Sequence, residues 1–401
     1  MSLPSPVPLE EAQARLLALA DPLAAETVPV EDSISRYLAQ DLLAGRTQPS
    51  ADLSAMDGYA VSKDNPGGPW RVIGESAAGH PFAGAISRDE AVRISTGAIL
   101  PDGASAVLLQ ENAVREGAAL SLSGDDPATA EHIRGTGFDF VTGDTLVKAG
   151  GRIGPAQLAL AIAAGHSEVS VCQRARLCVI DSGDELAADP AMLAQHQIPA
   201  SNGAMIAAMA GPFAAGCQRI GPVADQTAAL VTAFEQTVDA QVIVTSGGAS
   251  VGDHDLVRPA LEEWGASLEF WRIAMKPGKP LMVARKGSQI VLGLPGNPIS
   301  SYVTAFLFLL PLLRHLAGAG DPLPRFLTMP LAEPLSETGA RAEFIRAQMT
   351  SDSVKPLAQR DSSALRTLAN ANALILRSAG SPASDAGESA TVYPLQNGGI
   401  A

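Results

Sequence analysis

Acids in short, mostly glycine-bearing stretches are the first candidates for chemistry in this chain. They are Asp57 in "MDGYA", Asp139 in "GTGFD", Glu185 in "SGDEL", Asp225 in "VADQ" and Asp255 in "GDHD". Hard divalent cations such as Mg²⁺ take carboxylate oxygens and often share phosphate oxygens. Scattered acids build a cation site only if folding brings them together, and each has a plainer reading as a turn residue or helix cap. Asp57 poses the choice most sharply. Asp-Gly between apolar residues signals a β-hairpin, so Asp57 is either punctuation at 56–59 or a carboxylate mounted on a tight bend.

Three apolar segments run into small-residue loops. The first carries Asp184 and Glu185. The second, "SGGASVGDHD", carries Ser246, Gly247, Gly248, Ser250, Asp253 and Asp255. The third, "LGLPGNP", carries Gly296 and Asn297, with Asn297 placed as an N-cap and Pro298 at the first helical position. Glycine lets backbone N–H groups approach a ligand, and helix starts attract anions. One such loop is an ordinary strand-to-helix turn; three on one sheet edge favour a phosphate cradle. In "AMKPGKPL", Pro277-Gly278 suits a type II turn with Lys276 and Lys279 at its corners. Two close ammoniums repel unless an anion or water intervenes, so this is an oxyanion clamp or a solvated turn.

The elements that must position these residues follow from texture. Residues 9–20 have helical apolar spacing. From about 52 to 112, short β-rich segments alternate with turns, which predicts a small β domain. A helix over 155–164 ends at Gly165. From about 175 the pattern alternates apolar strands with helices, the signature of a parallel α/β sheet. A long helix follows Pro298 to about 316, and short strands close the chain.

Bulk properties bound the function. A length of 401 residues predicts two to four domains, and 38 glycines with 29 prolines predict many turns. A formal charge of −14 argues against nucleic-acid or anionic-membrane binding. Cys172, Cys178 and Cys217 have no zinc spacing and read as small buried residues of a reducing compartment. The N-terminus lacks the texture of a signal peptide, and the apolar run from Tyr302 reads as too short to span a membrane and contains Pro311. A cytoplasmic protein is expected. The six histidines, His254 among them, show no metal-binding spacing, and no GxSxG, Walker or GxGxxG motif is present.

Taken in order, "SAMDGYAV", "RISTGAILPDGASAVLLQE", "SGDEL", "SNGAMI", "VIVTSGGASVGDHD", "MKPGKPL" and "VLGLPGNPISSYVTAF" closely resemble the MoeA family, the molybdopterin molybdenumtransferases. The weaker marks "EFIRAQ" and "QRDSSALRTLANANALI" extend the match to about residue 372. The resemblance implies an elongated homodimer of four-domain subunits, α/β plus β in class. It divides the chain into a platform (1–50 and 140–174), a small β domain (51–139), a molybdopterin-binding α/β domain with a mostly parallel sheet (175–322) and a C-terminal β-barrel (323–401). Its active site lies between the α/β domain of one subunit and the small β domain of the other.

It further implies insertion of molybdate into adenylylated molybdopterin with Mg²⁺, hydrolysis of the pyrophosphate bond, and release of molybdenum cofactor and AMP. Related alternatives are the preceding ATP-dependent adenylylation and a gephyrin-type scaffold without catalysis. The adenylyltransferase and cofactor-accepting molybdoenzymes become possible partners; nucleic acid and membrane do not. Motif by motif, catalysis falls to Asp57, Asp139, Glu185, Asp225, Asp255, Lys276 and Lys279. The metal falls to Asp57, Glu185, Asp225 and Asp255. Molybdopterin binding falls to Ser182, Gly183 and Asp184, to Asn202, to Ser246, Gly247, Gly248 and Ser250, and to Pro280. It extends to Gly296, Asn297, Pro298 and Ser300, and to Arg346, Ser362 and Ser363. Ser250, both lysines, Arg346 and the two serines match the molybdate side. Three departures stand out: "GED" reads Gly137-Phe138-Asp139, the paired acid of "VxDD" reads Asp225-Gln226, and "STGDEL" begins with Asp181-Ser182.

Overall fold

The computed structural model describes residues 5–247, 256–359 and 361–395. At its centre is a six-stranded sheet in the order Gly216–Val223, Arg176–Ser182, Val242–Ser246, Gln289–Leu294, Met282–Lys286, Ser267–Trp271. The first four strands pair parallel, Met282–Lys286 pairs antiparallel with Gln289–Leu294, and Ser267–Trp271 pairs antiparallel with Met282–Lys286. Both faces are covered, which is why Leu177 through Ser182 and Val242 through Ser246 are all buried. The two-residue strand period divides them. Leu177, Val179, Val242 and Val244 enter one core; Cys178, Ile180 and Ile243 enter the other with Leu230, Phe234 and Trp264.

The first core is built on the helix Pro298–Leu316, which contains a π-helical segment, Ala305–Leu309, just before Pro311. Proline has no N–H to give the carbonyl four residues back, so Leu307 C=O loses its helical donor. Gln13 Nε2, from the helix Leu9–Leu17, donates to it at 2.8 Å. Leu9, Ala12 and Leu16 of that helix enter the same core. The helix Pro298–Leu316 has the bounds read from the sequence; at 19 residues and mean hydropathy 1.4 the whole helix, unlike the apolar run from Tyr302 taken alone, could cross a bilayer by length and composition. It is a core helix instead: 89% of its apolar window is buried inside the fold.

Around this unit, Ala25–Pro29 pairs antiparallel with Glu168–Cys172 over a small core containing Val30, Leu38 and Val171. A separate six-stranded sheet runs Ala106–Leu109, Gly58–Val61, Glu90–Ile94, Trp70–Ser76, Ala119–Leu122, Ala113–Glu116. At the C-terminus, Leu327–Pro330, Ser389–Pro394, Ala373–Arg377 and Ala342–Met349 pair in that order, with Val354–Pro356 added to Ala342–Met349. A bridge from Val354 to Leu331 returns the pairing to its start. The short strand Met275–Lys276 leaves the α/β unit and pairs parallel with Ala342 and Glu343, joining the two units. Cys172 and Cys178 are buried as expected, but Cys217 is exposed because its strand is an edge.

Candidate active site

Three parallel strands end side by side, and their glycines let the following loops touch. A Cβ on Gly247, whose φ is +106°, would lie 2.5 Å from Ser182 O. A Cβ on Gly296 would lie 3.6 Å from Gly247 Cα. Asn202 Nδ2 donates to Gly296 C=O at 2.7 Å and ties in the helix Asn202–Ala210. The result is a cavity of about 750 Å³, within the range of about 300–1,000 Å³ usual for small-molecule sites. It gathers Ser182, Gly183, Glu185, Asn202 and Asp225 with Ser246, Gly247 and Pro280. Gly296, Asn297, Pro298 and Ser363 are the other expected residues that line it.

Its acids come from two segments bound together. Asp184 Oδ1 accepts the Asp225 N–H at 3.0 Å, and Glu185 and Asp225 both line the cavity. Among the described residues, no group of three metal-ligating side chains converges. Mg²⁺ usually needs only one or two carboxylates, taking its other ligands from water and phosphate, so this pair fits it. The described lining contains no lysine or arginine.

Other expected residues lie elsewhere. Gly248, Ser250 and Asp255, with Asp253 and His254, fall outside the described residues. Ser300 is buried in the helix, where its C=O accepts from Thr304. Asn297 occupies the N-cap position without capping; its Nδ2 donates to Ser362 Oγ at 3.0 Å, fastening the C-terminal unit to the cavity's edge. Arg346 is buried and donates to the carbonyls of Gln359 and Asp361, so it shapes that loop rather than lining the cavity. Asp361 in turn holds Ser363 through its hydroxyl and N–H, which keep the Asp361 carboxyl below the ordinary range.

The lysine turn differs from the type II geometry expected. The Lys276–Pro277 peptide is cis, Lys276 belongs to the strand joining the C-terminal sheet, and Lys279 C=O accepts from Ile273. Lys276 Nζ lies 3.4 Å from Glu343 Oε1, so its nearest anion is a carboxylate of the chain. Neither lysine lines the cavity.

Asp57 also corrects its sequence reading. Leu53–Ser54 and Gly58–Val61 do not form a hairpin. The first pairs with Ile133–Arg134, the second with Glu90–Ile94 and Ala106–Leu109. Chain direction changes at Ala55–Asp57 between two sheets. Gly58 is needed for closeness rather than for positive φ: a Cβ there would lie 1.9 Å from Leu108 O. The exposed Asp57 carboxylate is aimed by Thr96, whose N–H and hydroxyl donate to Oδ1 at 2.7 and 3.0 Å. Asp139 is also exposed and is anchored through its N–H to Gln48 C=O. Neither acid lines the cavity of its own chain.

The Thr96 N–H, then its hydroxyl, hold Asp57 below the ordinary carboxylate pKa, with Arg93 adding a smaller attraction. The stabilisation this contact gives is full above the unfolded pKa of about 3.9 and is lost as pH falls through the lower folded value. An NMR titration of the Asp57 carboxyl carbon should give a midpoint below that reference. Thr96→Val, which removes only the hydroxyl, should return it part of the way.

Sequence reasoning missed Asp181, which lines the cavity although it is only 3% exposed. Burial pushes its carboxyl above the ordinary range, opposed by the Arg219 guanidinium and the Gly203 N–H. The signal was an acid directly after the fully apolar "LCVI", opposite Ser246 in the sheet register. Ile198, Pro199 and Leu365 were missed because nothing in their local pattern points at a ligand.

Residues 7–165 match the MoeA N-terminal region (domain I and II), residues 178–315 a probable molybdopterin binding domain, and residues 328–395 the MoeA C-terminal region (domain IV). A Staphylococcus aureus protein named molybdopterin molybdenumtransferase is 30% identical over 403 residues, covering 97% of this chain and 95% of its own length. A Bacillus subtilis protein of the same name is 30% identical over 415 residues, covering 98% and 95%. The crystal structure of a molybdopterin biosynthesis moeA protein from Pyrococcus horikosii is similar with a TM-score of 0.81 at 28% identity, covering 99% of this chain and 100% of that one.

Proposed function

The chain belongs to the MoeA family of molybdopterin molybdenumtransferases, and from that premise we infer that it inserts molybdenum into molybdopterin during cofactor biosynthesis. The observation that carries the reading is the joining of three glycine-bearing strand ends into one cavity with Glu185 and Asp225 at its wall. In the finer form of the proposal, the substrate is adenylylated molybdopterin. Molybdate is inserted at its dithiolene, the pyrophosphate bond is hydrolysed, and AMP leaves.

The glycines Gly183, Gly247 and Gly296 let backbone approach the ligand without side-chain obstruction. Asn202 and Asn297 tie the helix starts to neighbouring loops, so the cavity wall is fixed before the ligand arrives. With three acids, Asp181, Glu185 and Asp225, and no basic side chain in its described lining, the cavity takes a polyanion best with a cation. Mg²⁺ held by Glu185 and Asp225 would neutralise and polarise the phosphoryl oxygens. Lys276 and Lys279 remain candidates for the molybdate side, Lys276 after exchanging Glu343 for the oxyanion.

We read the assembly as a cytoplasmic homodimer of four-domain subunits with the boundaries given above. The exposed, pre-aimed Asp57 supports a role in the partner's cavity, since its own chain gives it none. Purified protein should release AMP from adenylylated molybdopterin when molybdate and Mg²⁺ are supplied, measured by chromatography; running tungstate in parallel tests oxyanion preference. An intact substrate after incubation with folded protein would sink the reading.

A further inference from the structure

Basic side chains are the minority in this chain, 28 against 42 acids, yet four arginines from separate segments meet at one junction. The paired strands Ala25–Pro29 and Glu168–Cys172 come together there with the end of the helix Pro298–Leu316. Tyr37 is bridged antiparallel to Arg152 and packs with Ala317 and Ala319, just past that helix. Its C=O accepts the Cys172 N–H at 3.1 Å. A Cβ on Gly318 would lie 2.4 Å from Cys172 Sγ, so the two units touch closely. Pro298, at the other end of the helix, lines the cavity. At a rise of about 1.5 Å per residue, Arg314 lies roughly 25 Å from it.

The charges at this junction are unevenly matched. Arg36 donates to Glu26 and, at 2.8 Å, to Cys172 C=O. Arg314 stacks on Phe213 at 4.6 Å from the ring centroid and donates to Pro322 C=O at 3.4 Å. Arg152 is exposed, and its partner among the described residues is the neutral Ser35 Oγ at 2.9 Å. Arg174 is partly buried and makes no hydrogen bond or ion pair among the described residues. Burial, then the charges of Arg36 and Arg152, hold its guanidinium below the ordinary arginine range; Glu26, already paired, is the acid that opposes them. Burial lowers Arg314 likewise, and Arg152 repels it too. The Tyr37 hydroxyl also makes no hydrogen bond among the described residues, although the residue is only 9% exposed.

We propose that Arg152, Arg174 and Tyr37, flanked by Arg36 and Arg314, form a site for a phosphate dianion that is separate from the cavity. Two guanidiniums without an acid repel each other until an anion comes between them. One carboxylate would cancel only one of the two charges. Phosphate is doubly charged above a pKa of about 6 and presents acceptor oxygens. Their spacing matches the guanidinium fork, and a phenol adds one more donor. Bound here, phosphate ties the antiparallel unit to the end of the core helix and removes the repulsion at their junction. Inorganic phosphate and the phosphate group of an ester share this chemistry, and experiment separates them.

The test is calorimetric titration of the full chain, in buffer free of phosphate and sulfate, with inorganic phosphate and with methyl phosphate. Wild type should bind at least one of them saturably. Its melting temperature should rise with that ligand and not with sodium chloride at equal ionic strength. Arg174→Gln should weaken binding by about tenfold or more, the worth of a hydrogen bond to a charged group, and Tyr37→Phe by about fivefold. Arg174→Lys keeps the charge without the fork and should recover only part of the loss. Arg115→Gln, at an exposed arginine of the small β unit, should bind as wild type does. Arg174-dependent binding of methyl phosphate assigns the site to a phosphate group on a larger molecule; such binding of inorganic phosphate alone assigns it to the free ion. No saturable binding of either, or equal binding by folded Arg174→Gln, would overturn the proposal. Phosphate held only in the cavity would survive Arg174→Gln and give that second result. Should Arg174→Gln fail to fold, Arg152→Gln at the exposed arginine decides, with the same loss expected.

Discussion

Glu185→Ala is expected to lower molybdate-dependent AMP release by about 10²-fold or more, the scale of losing a positioned catalytic carboxylate. The side chain is exposed at the cavity wall, so its removal should change stability little. Its backbone stays fixed, because the Ile198 N–H donates to Glu185 C=O at 2.8 Å. The loss should therefore appear in turnover while the melting temperature holds. Asp57→Ala should show a loss of similar size for a different reason, since Asp57 lines no part of its own cavity. The two defects should complement. In a heterodimer of one Asp57→Ala and one Glu185→Ala subunit, one of the two sites keeps both acids. Differently tagged, purified heterodimers should recover up to about half of wild-type AMP release, one intact site of two. Heterodimers that stay inactive would show that Asp57 does not act across the interface.

Gly58→Ala should destabilise the small β unit by about 3 kcal/mol or more, among the large effects of overpacking. The added Cβ would lie 1.9 Å from Leu108 O and 2.9 Å from Leu108 C. Relief by sliding is blocked, because Gly58 is paired with Ile94 on one side and Leu109 on the other. The same shift would move Asp57 away from Thr96, so activity should fall with stability. Gly124→Ala is the matched control, since its Cβ would meet nothing within 4 Å. Thermal unfolding followed by circular dichroism should separate the two variants clearly. Equal melting curves would mean that the strand relaxes around the extra carbon and that the Gly58 argument is wrong.

Much of the site's framework was legible before any coordinates. The strand ends at Ser182 and Ser246 follow from apolar runs stopped before a glycine, the end at Leu294 from a run stopped by Pro295-Gly296, and burial on both faces follows from their lack of polar alternation. The glycines of these loops were marked for ligand approach; in the fold Gly247 and Gly296 let the loops approach one another. The lysine turn and the Asp-Gly hairpin were misread for one reason: each was judged by the turn it would form alone. In the fold, Lys276 and Gly58 belong to ladders whose partners lie far along the chain, and the ladder overrides local turn preference.

What the sequence by itself determined was therefore local: where strands run and stop, where a helix starts at Pro298, and where a glycine removes an obstacle. Tertiary structure decided which of those ends meet. Asp181 reaches Gly203 and Arg219, Gln13 repairs the carbonyl that Pro311 leaves without a donor, and Asn297 reaches Ser362. Those bonds join residues 22 to 294 positions apart. Local spacing carries no record of them, because each exists only after separate segments have been packed and a buried polar group must be satisfied by whatever packing brings beside it.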